Sequence, residues 1–475
     1  MIKRKNTLII VSLMFALLSV NFLFGEGMGL IVTLLQFTVL IGSFIIYKQA
    51  NKWNIKRGLP LLIALVLLSF TYVFRDQKLL HLLNIIVFYG LVIVYNIHML
   101  KDKPFVIDGD LIIDALEQMI MPIGEFPVPY KHIGRHFRFK KVKDLQPKTK
   151  QILLGVGLAI PILVVFMALM SSADDIFKEA IQFDLSWLID LLDDLILPKL
   201  IVGLICFSYL FGYFHFLIFK DKKEKPQIES KEKVNGDIAI TTILTLVNSL
   251  FTFFVFIQFK YLFSEKIIQG MTFSSYARKG FFELTVISLL VIVFTLILAY
   301  FTQHKINKGL MTLMILNTMV IAYSAIYRLN LYITAYGYTW LRIVSLSFVI
   351  LQIIIMIALV IHLWHKVNIN LIIASMYLIA YLTLNFTNMD ALIINGNMNR
   401  YLNGHDLDMD YYTTMSTDSI DALMDYKNQF QGQDQHKQVL MQIDSIIEEH
   451  HNNLQELEWF NYNYSYMKAY NKLKK

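Results

Sequence analysis

Cysteine is nearly absent from the 475-residue chain. Its single copy, Cys206, lies in an apolar run, so neither a disulfide framework nor a cysteine-based zinc site can form within one chain. Charge is also sparse: 17% of residues are charged and 56% hydrophobic, with a mean hydropathy of +0.53, whereas soluble domains average about 25% charged. A water-soluble fold of this length could not hide that much apolar side chain. The common catalytic signatures are missing too: there is no H-E-x-x-H, G-x-x-x-x-G-K-[ST], G-x-S-x-G or dinucleotide glycine fingerprint. This removes the usual zinc-protease, nucleotide-hydrolysing and hydrolase readings, and nothing calls for a cofactor. His450 and His451 beside Glu448 and Glu449 do not restore a metal site, because adjacent helical residues point about 100° apart and cannot chelate together.

What the chain has instead is apolar runs of bilayer-crossing length, about 17 to 25 residues. They fall near 7–24, 28–47, 59–74, 79–98, 152–170, 198–219, 238–259, 281–301, 310–326, 343–363 and 369–386, the third being the shortest. The fold expected is all-α, a polytopic transmembrane helical bundle of about eleven spans with a small α-helical tail. The N-terminal Met-Ile-Lys-Arg-Lys before Leu8–Phe24 has the layout of a secretory signal, but no small-residue cleavage site follows and a new apolar run begins near Gly29. A retained first helix is therefore expected. The chain divides into an N-terminal four-helix membrane segment (1–100), a cytoplasmic basic loop (101–151), a seven-helix membrane core (152–386) and an extracytoplasmic helical tail (387–475).

The net charge of +7 does not point to nucleic acid, because Lys and Arg sit in loops between apolar runs and form no binding module. Anionic lipid headgroups at the cytoplasmic basic loop are the expected partner. Lys48, Lys52, Lys56 and Arg57, the series Lys131, Arg135, Arg138, Lys140, Lys141, Lys143, Lys148 and Lys150, the loop from Lys220 to Lys233, Lys305, Lys308 and Lys366 share one side with the basic N-terminus. The positive-inside rule makes that side cytoplasmic. An odd span count then puts the acidic tail outside; only the loops around the ninth run, with Arg328 and Arg342, go against the bias.

Leu111–Met121, followed by Pro122, Pro127 and Pro129, reads as a short interfacial helix, and 174–197 as an amphipathic one. The tail from Ser416 reads as two helices that break at Gln431–Gln433, the second with an apolar face of Val439, Leu440, Ile443, Ile446 and Ile447. No internal repeat of either half is visible, which weakens an inverted-repeat transporter.

The candidate site lies at the outer ends of the last four spans. Arg278 and Glu283 lead into the eighth, and an intramembrane carboxylate should have a partner. Arg328, Tyr332 and Tyr336 lie four apart, along one face if the helix continues, with Gly337 allowing a turn before Arg342; Asn388 and Asp390 emerge on the same side. Two arrangements fit these residues: a buried or cavity-lining polar cluster, with Glu283 paired to Arg328 or Arg342, or an aromatic interfacial belt with snorkelling arginines. Asn84, Asn248, Asn317, Gln352 and His215, inside other spans, are expected to form interhelical hydrogen bonds.

Ser275–Leu284, Arg328–Arg342, Asn388–Arg400, Asp408–Tyr411 and Ser416–Asp418 together resemble a family of uncharacterised bacterial polytopic membrane proteins, catalogued as a domain of unknown function. The resemblance runs from Ser171–Asp174 to Asn463, with R-L-x-L-Y-x-x-A-Y-G-x-T-x-x-R matched from Arg328 to Arg342. It implies membership and no mechanism. Three functions remain open: a non-catalytic envelope sensor or assembly partner binding a protein or small molecule at the outer site, a small-molecule or ion transporter, and an enzyme acting on lipid-linked substrates.

Overall fold

The computed structural model describes residues 2–25, 28–49, 55–100, 109–136, 196–219, 237–262, 273–365, 367–454 and 458–474. The described residues form helices and turns, with no strand among them. Among them nine helices are long and apolar enough to cross a membrane, and the third run forms a shorter apolar helix, Gly58–Phe74. The chain is thus an all-α multi-pass membrane protein. Apolar runs fold this way because hydrocarbon offers the backbone no partner outside its own helix. The run near 152–170, the amphipathic stretch up to residue 195, the basic residues from Arg138 to Lys150 and the loop 220–233 lie outside the described residues.

The chain divides into two compact units. The first comprises Met1–Leu59, Val92–Asp102 and Ile112–Lys222. It holds α1 (Ile2–Phe24), α2 (Leu30–Gln49), the start of α3 (Ile55–Phe74), the end of α4 (Lys78–Leu100), most of α5 (Gly109–Ile120), α6 (Pro127–His136) and α7 (Ile196–Phe219). Leu8, Ile31, Ile46, Phe211 and Phe214 are fully buried in it. A polar chain runs through this core: Tyr47 donates to Asn96, Asn96 to the Tyr213 hydroxyl, and Tyr213 to Gln118 Oε1 at 3.2 Å. As expected, α5 forms, and it leaves Ile112, Ile113, Leu116, Met119 and Ile120 exposed along one face, the pattern of an interfacial helix.

The second unit comprises Pro60–Leu91, Lys103–Leu111 and Lys223–Lys475. After the rest of α3 and α4 it holds α8 (Asp237–Leu262), α9 (Phe273–Phe301), α10 (Lys305–Tyr336), α11 (Trp340–Trp364), α12 (Ile369–Phe386), α13 (Met389–Leu402), α14 (Asp410–Thr413), α15 (Ile420–Phe430), α16 (Lys437–Asn453) and α17 (Tyr464–Leu473). Met311, Met314, Ile315, Ile355, Met356 and Leu359 centre the packing of α10 and α11. At 32 residues and 1.5 Å per residue, α10 is about 48 Å long, more than the roughly 30 Å hydrocarbon thickness. The helix does continue through Arg328 and Tyr332 to Tyr336.

Asn84, Asn248, Asn317, Gln352 and His215 each meet a neighbouring helix or turn, as expected. Asn84 donates to Thr71 and Asn385, Asn248 to Leu310 O, Asn317 to Thr252 and Gln352 to Thr285 O. His215 Nδ1 lies 3.0 Å from Glu125 Oε2. The tail breaks where the sequence suggests, between α15 and α16, and buries Val439, Ile443, Ile446 and Ile447 together with Ile393, Met398, Tyr412 and Phe430. The stretch from Ser416 also contains α17, a third helix beyond the two expected, and α13 and α14 precede it.

Gly42 on α2 faces Phe214 so closely that a Cβ there would overlap the ring. Gly42→Val is expected to lower the thermal midpoint in detergent by the equivalent of about 1 to 3 kcal/mol of overpacking. Combined with Phe214→Ala it should lose less than the sum of the two, and strictly additive melts would show that the ring does not rest on Gly42.

Candidate functional site

The C-terminal end of a helix leaves carbonyls without intrahelical partners. At the end of α10, arginines take them. Arg342 Nη1 donates to Tyr336 O at 2.9 Å and Gly337 O at 2.5 Å, and its guanidinium lies 4.3 Å over the Tyr332 ring. Arg400, on α13, donates from Nε and Nη2 to Thr334 O at 3.1 and 2.7 Å. The turn itself is read by Asn397, whose Oδ1 accepts from Tyr338 N at 2.6 Å and whose Nδ2 donates to Tyr338 O at 2.9 Å. Gly337, at φ 82°, is required here: a Cβ would come within 2.6 Å of Asn397 Oδ1 and 2.7 Å of Arg400 Nη1.

Asp390 ties α11 to the tail. It is 2% exposed, and its oxygens accept from Trp340 Nε1 at 3.1 Å, Ser416 N at 3.0 Å and Ser416 Oγ at 2.6 Å. The Trp340 N–H donates to the Tyr411 hydroxyl at 2.9 Å. Asn388 caps α13 by accepting from Ala391 N at 2.9 Å, and its amide donates to Asp418 O at 2.9 Å.

A second group surrounds Asp418, which the sequence marks only within the segment Ser416–Asp418. Arg75 Nη1 lies 3.7 Å from Asp418 Oδ1, Asp76 N donates to Oδ2 at 3.3 Å, and Ser465 Oγ donates to Oδ1. Thr417 Oγ1 donates to Asp76 Oδ2 at 2.7 Å. Arg75 also donates from Nε and Nη2 to Phe386 O, at 3.1 and 2.7 Å, and Gln77 to Thr387 O at 3.2 Å. Asn463 donates to Tyr72 O at 3.0 Å and to Arg75 O. The ends of α3 and α12 are thus capped as the end of α10 is. The available signal was the polar triplet Arg75-Asp76-Gln77 filling a three-residue connection between spans.

Among the described residues the ion pair expected of Glu283 with Arg328 or Arg342 does not form. That carboxylate is exposed on α9 with no cation within 4 Å among the described residues, and Arg342 turns to carbonyls instead. Arg278 lies on α9 with its side chain outside the described set, and Arg328 is half-buried on α10. Of the predicted residues, Tyr332, Tyr336 and Arg342 come together, as do Asn388 and Asp390 with the tail; Arg400, Asn397, Arg75, Asp418 and Asn463 complete the network.

The chain matches, over residues 62–426, a family described as a domain of unknown function, DUF4153. No curated protein and no solved structure matches it.

Asp390→Ala would leave three donors without their acceptor, at about 1 to 3 kcal/mol for each one that stays buried. Asp390→Asn keeps one oxygen and should lose less in thermal melts; equal midpoints for wild type and both variants would remove Asp390 from the network.

Burial pushes the Asp418 carboxyl above its ordinary value of 3.8, while the Ser465 hydroxyl, Arg75 and the Asp76 N–H pull it partway back. A carboxyl raised in the folded state contributes stability that is full below its unfolded value and is lost as pH rises through the folded one. The stability of wild type relative to Asp418→Asn should therefore fall as pH is raised from about 4 toward neutral. A difference that stays flat, or grows with pH, would contradict this in chemical-denaturation series.

Proposed function

The chain belongs to the DUF4153 family, whose match spans residues 62–426, and from the capping network we propose a non-catalytic bacterial cell-membrane component, a sensor or assembly partner. Its tail is held on the ends of α3, α10 and α12 and passes a change in its own position to them. One observation carries this reading: Asn397, Arg400 and Asn463 of the tail all bind backbone atoms at or just beyond the ends of membrane helices. Side chains that bind backbone position an element. The basic loops support a cytoplasmic N-terminus, with anionic headgroups facing the basic residues of 101–151, and an extracytoplasmic tail.

Asn397→Ala should raise amide hydrogen exchange at 334–340 and in α13 while leaving α8 unchanged. Exchange that stays at the wild-type level would remove the coupling. Substrate-dependent flux into proteoliposomes would replace this reading with transport, and product formation from envelope lipids would replace it with catalysis.

Tail placement is tested by labelling. Ser445 is exposed on α16, so in a Cys206→Ser, Ser445→Cys variant an impermeant maleimide should react in intact cells made permeable only at the wall. Reaction confined to lysed cells would reverse the orientation.

A further inference from the structure

Arg342 and Arg400 converge on the last turn of α10, their acceptors lying within 334–337. Among the described residues neither guanidinium has a carboxylate within 4 Å. Asp390 shares α13 with Arg400 but sits ten residues away, about 15 Å along the helix, and gives its oxygens to Trp340 and Ser416. The helix end contributes only about half a negative charge against two full positive ones. Among the described residues, about one and a half positive charges are therefore left without a contacting anion. Burial first, and then the neighbouring Arg342 charge, lower the Arg400 pKa.

Donors remain as well as charge. Arg342 engages the carbonyls through Nη1 alone, which leaves Nε and Nη2; Arg400 uses Nε and Nη2, which leaves Nη1. Both side chains are partly exposed, and Tyr336 beside them is 50% exposed. The turn they meet lies between one candidate span ending at Tyr336 and the next beginning at Trp340, which is headgroup depth.

We propose that Arg342 and Arg400 together bind a phosphate group at the α10–α11 turn. Guanidinium forks match phosphate oxygens in geometry and charge, and a single phosphate bridging the two relieves their repulsion. Two sources share that chemistry, an anionic lipid headgroup and soluble phosphate, and the depth of the turn favours the headgroup. The inference names a ligand for the site of the proposed sensor or assembly role and rests on that reading. The two fail separately, because hydrogen exchange in Asn397→Ala reports the coupling with no ligand present.

The test uses the full chain in zwitterionic detergent, titrated with short-chain phosphatidylglycerol, phosphatidylcholine or inorganic phosphate, read by thermal midpoint and by native mass spectrometry. Phosphatidylglycerol should raise the midpoint and remain bound where phosphatidylcholine does not, and Arg342→Gln and Arg400→Gln should each weaken it roughly tenfold, the scale of one charge-assisted pair. Because either glutamine variant also takes a donor from α10 and can unfold the turn, Arg342→Lys is included. It keeps the charge and loses the fork, and should give a folded protein with intermediate affinity. A shift with inorganic phosphate that the same variants abolish supports the site and assigns it to the free anion. Equal effects of both lipids, or undiminished phosphatidylglycerol binding in all three variants, would overturn the proposal.

Discussion

The last carbonyls of a membrane-spanning helix have no partner in their own helix, and at the edge of the hydrocarbon they cannot rely on water. In this protein three helix ends in the second unit meet that constraint in one way. Side chains from distant parts of the chain donate to them, Arg75 to Phe386 O, Gln77 to Thr387 O, Asn463 to Tyr72 O and Arg400 to Thr334 O, and the nearby Arg342 donates to Tyr336 O and Gly337 O. Cations suit the place, since the helix dipole is negative there. The position of the tail follows from this requirement, because Asn397, Arg400 and Asn463 reach those backbone atoms only when α13 and the Asn463 turn lie over the ends of α10 and α3.

The same constraint accounts for the motif from Arg328 to Arg342. Gly337 ends α10 in a conformation that keeps a Cβ out of the space Asn397 and Arg400 occupy, and Arg342 returns to cap the turn it follows. Tyr332 supports the Arg342 guanidinium from below, at 4.3 Å. Only an arginine can stack on a ring and donate to two carbonyls with one planar group. Tyr332 and Tyr336 thus lie beside a guanidinium that is engaged by main-chain oxygens.

The spans were legible because bilayer thickness imposes a length that apolar runs record directly. The continuation of α10 was legible from residues spaced four apart, and the tail break from Gly432 with its polar neighbours. The destination of the charges was not. A carboxylate such as Glu283 advertises itself in a sequence, and pairing it with Arg328 or Arg342 was the natural expectation. Arg342 instead binds main-chain oxygen, which every residue carries and no residue letter marks. Asn463 to Tyr72 O joins positions 391 residues apart through an atom of that kind. Arg75 was hidden for a related reason: a three-residue connection looks too short to hold a site until the tail is seen to fold onto it.

Burial separates the charges that fix the tail from those that only steer it. Asp421 on α15 pairs with Lys468 and Lys472 of α17, but these side chains are 35 to 46% exposed, and such pairs contribute little once solvent and salt screen them. Asp418, three residues earlier, is wholly buried at its side chain beside Arg75, and the same Arg75 caps α12. Removing Arg75 would therefore strand a buried carboxylate and uncap a membrane helix at once, whereas removing either lysine would do neither. α17 begins at Asn463, whose side chain both caps it by accepting from Tyr466 N at 3.0 Å and donates to the end of α3. That one amide thus binds both the start of α17 and the end of α3, and Arg75, whose carbonyl it also meets, caps α12.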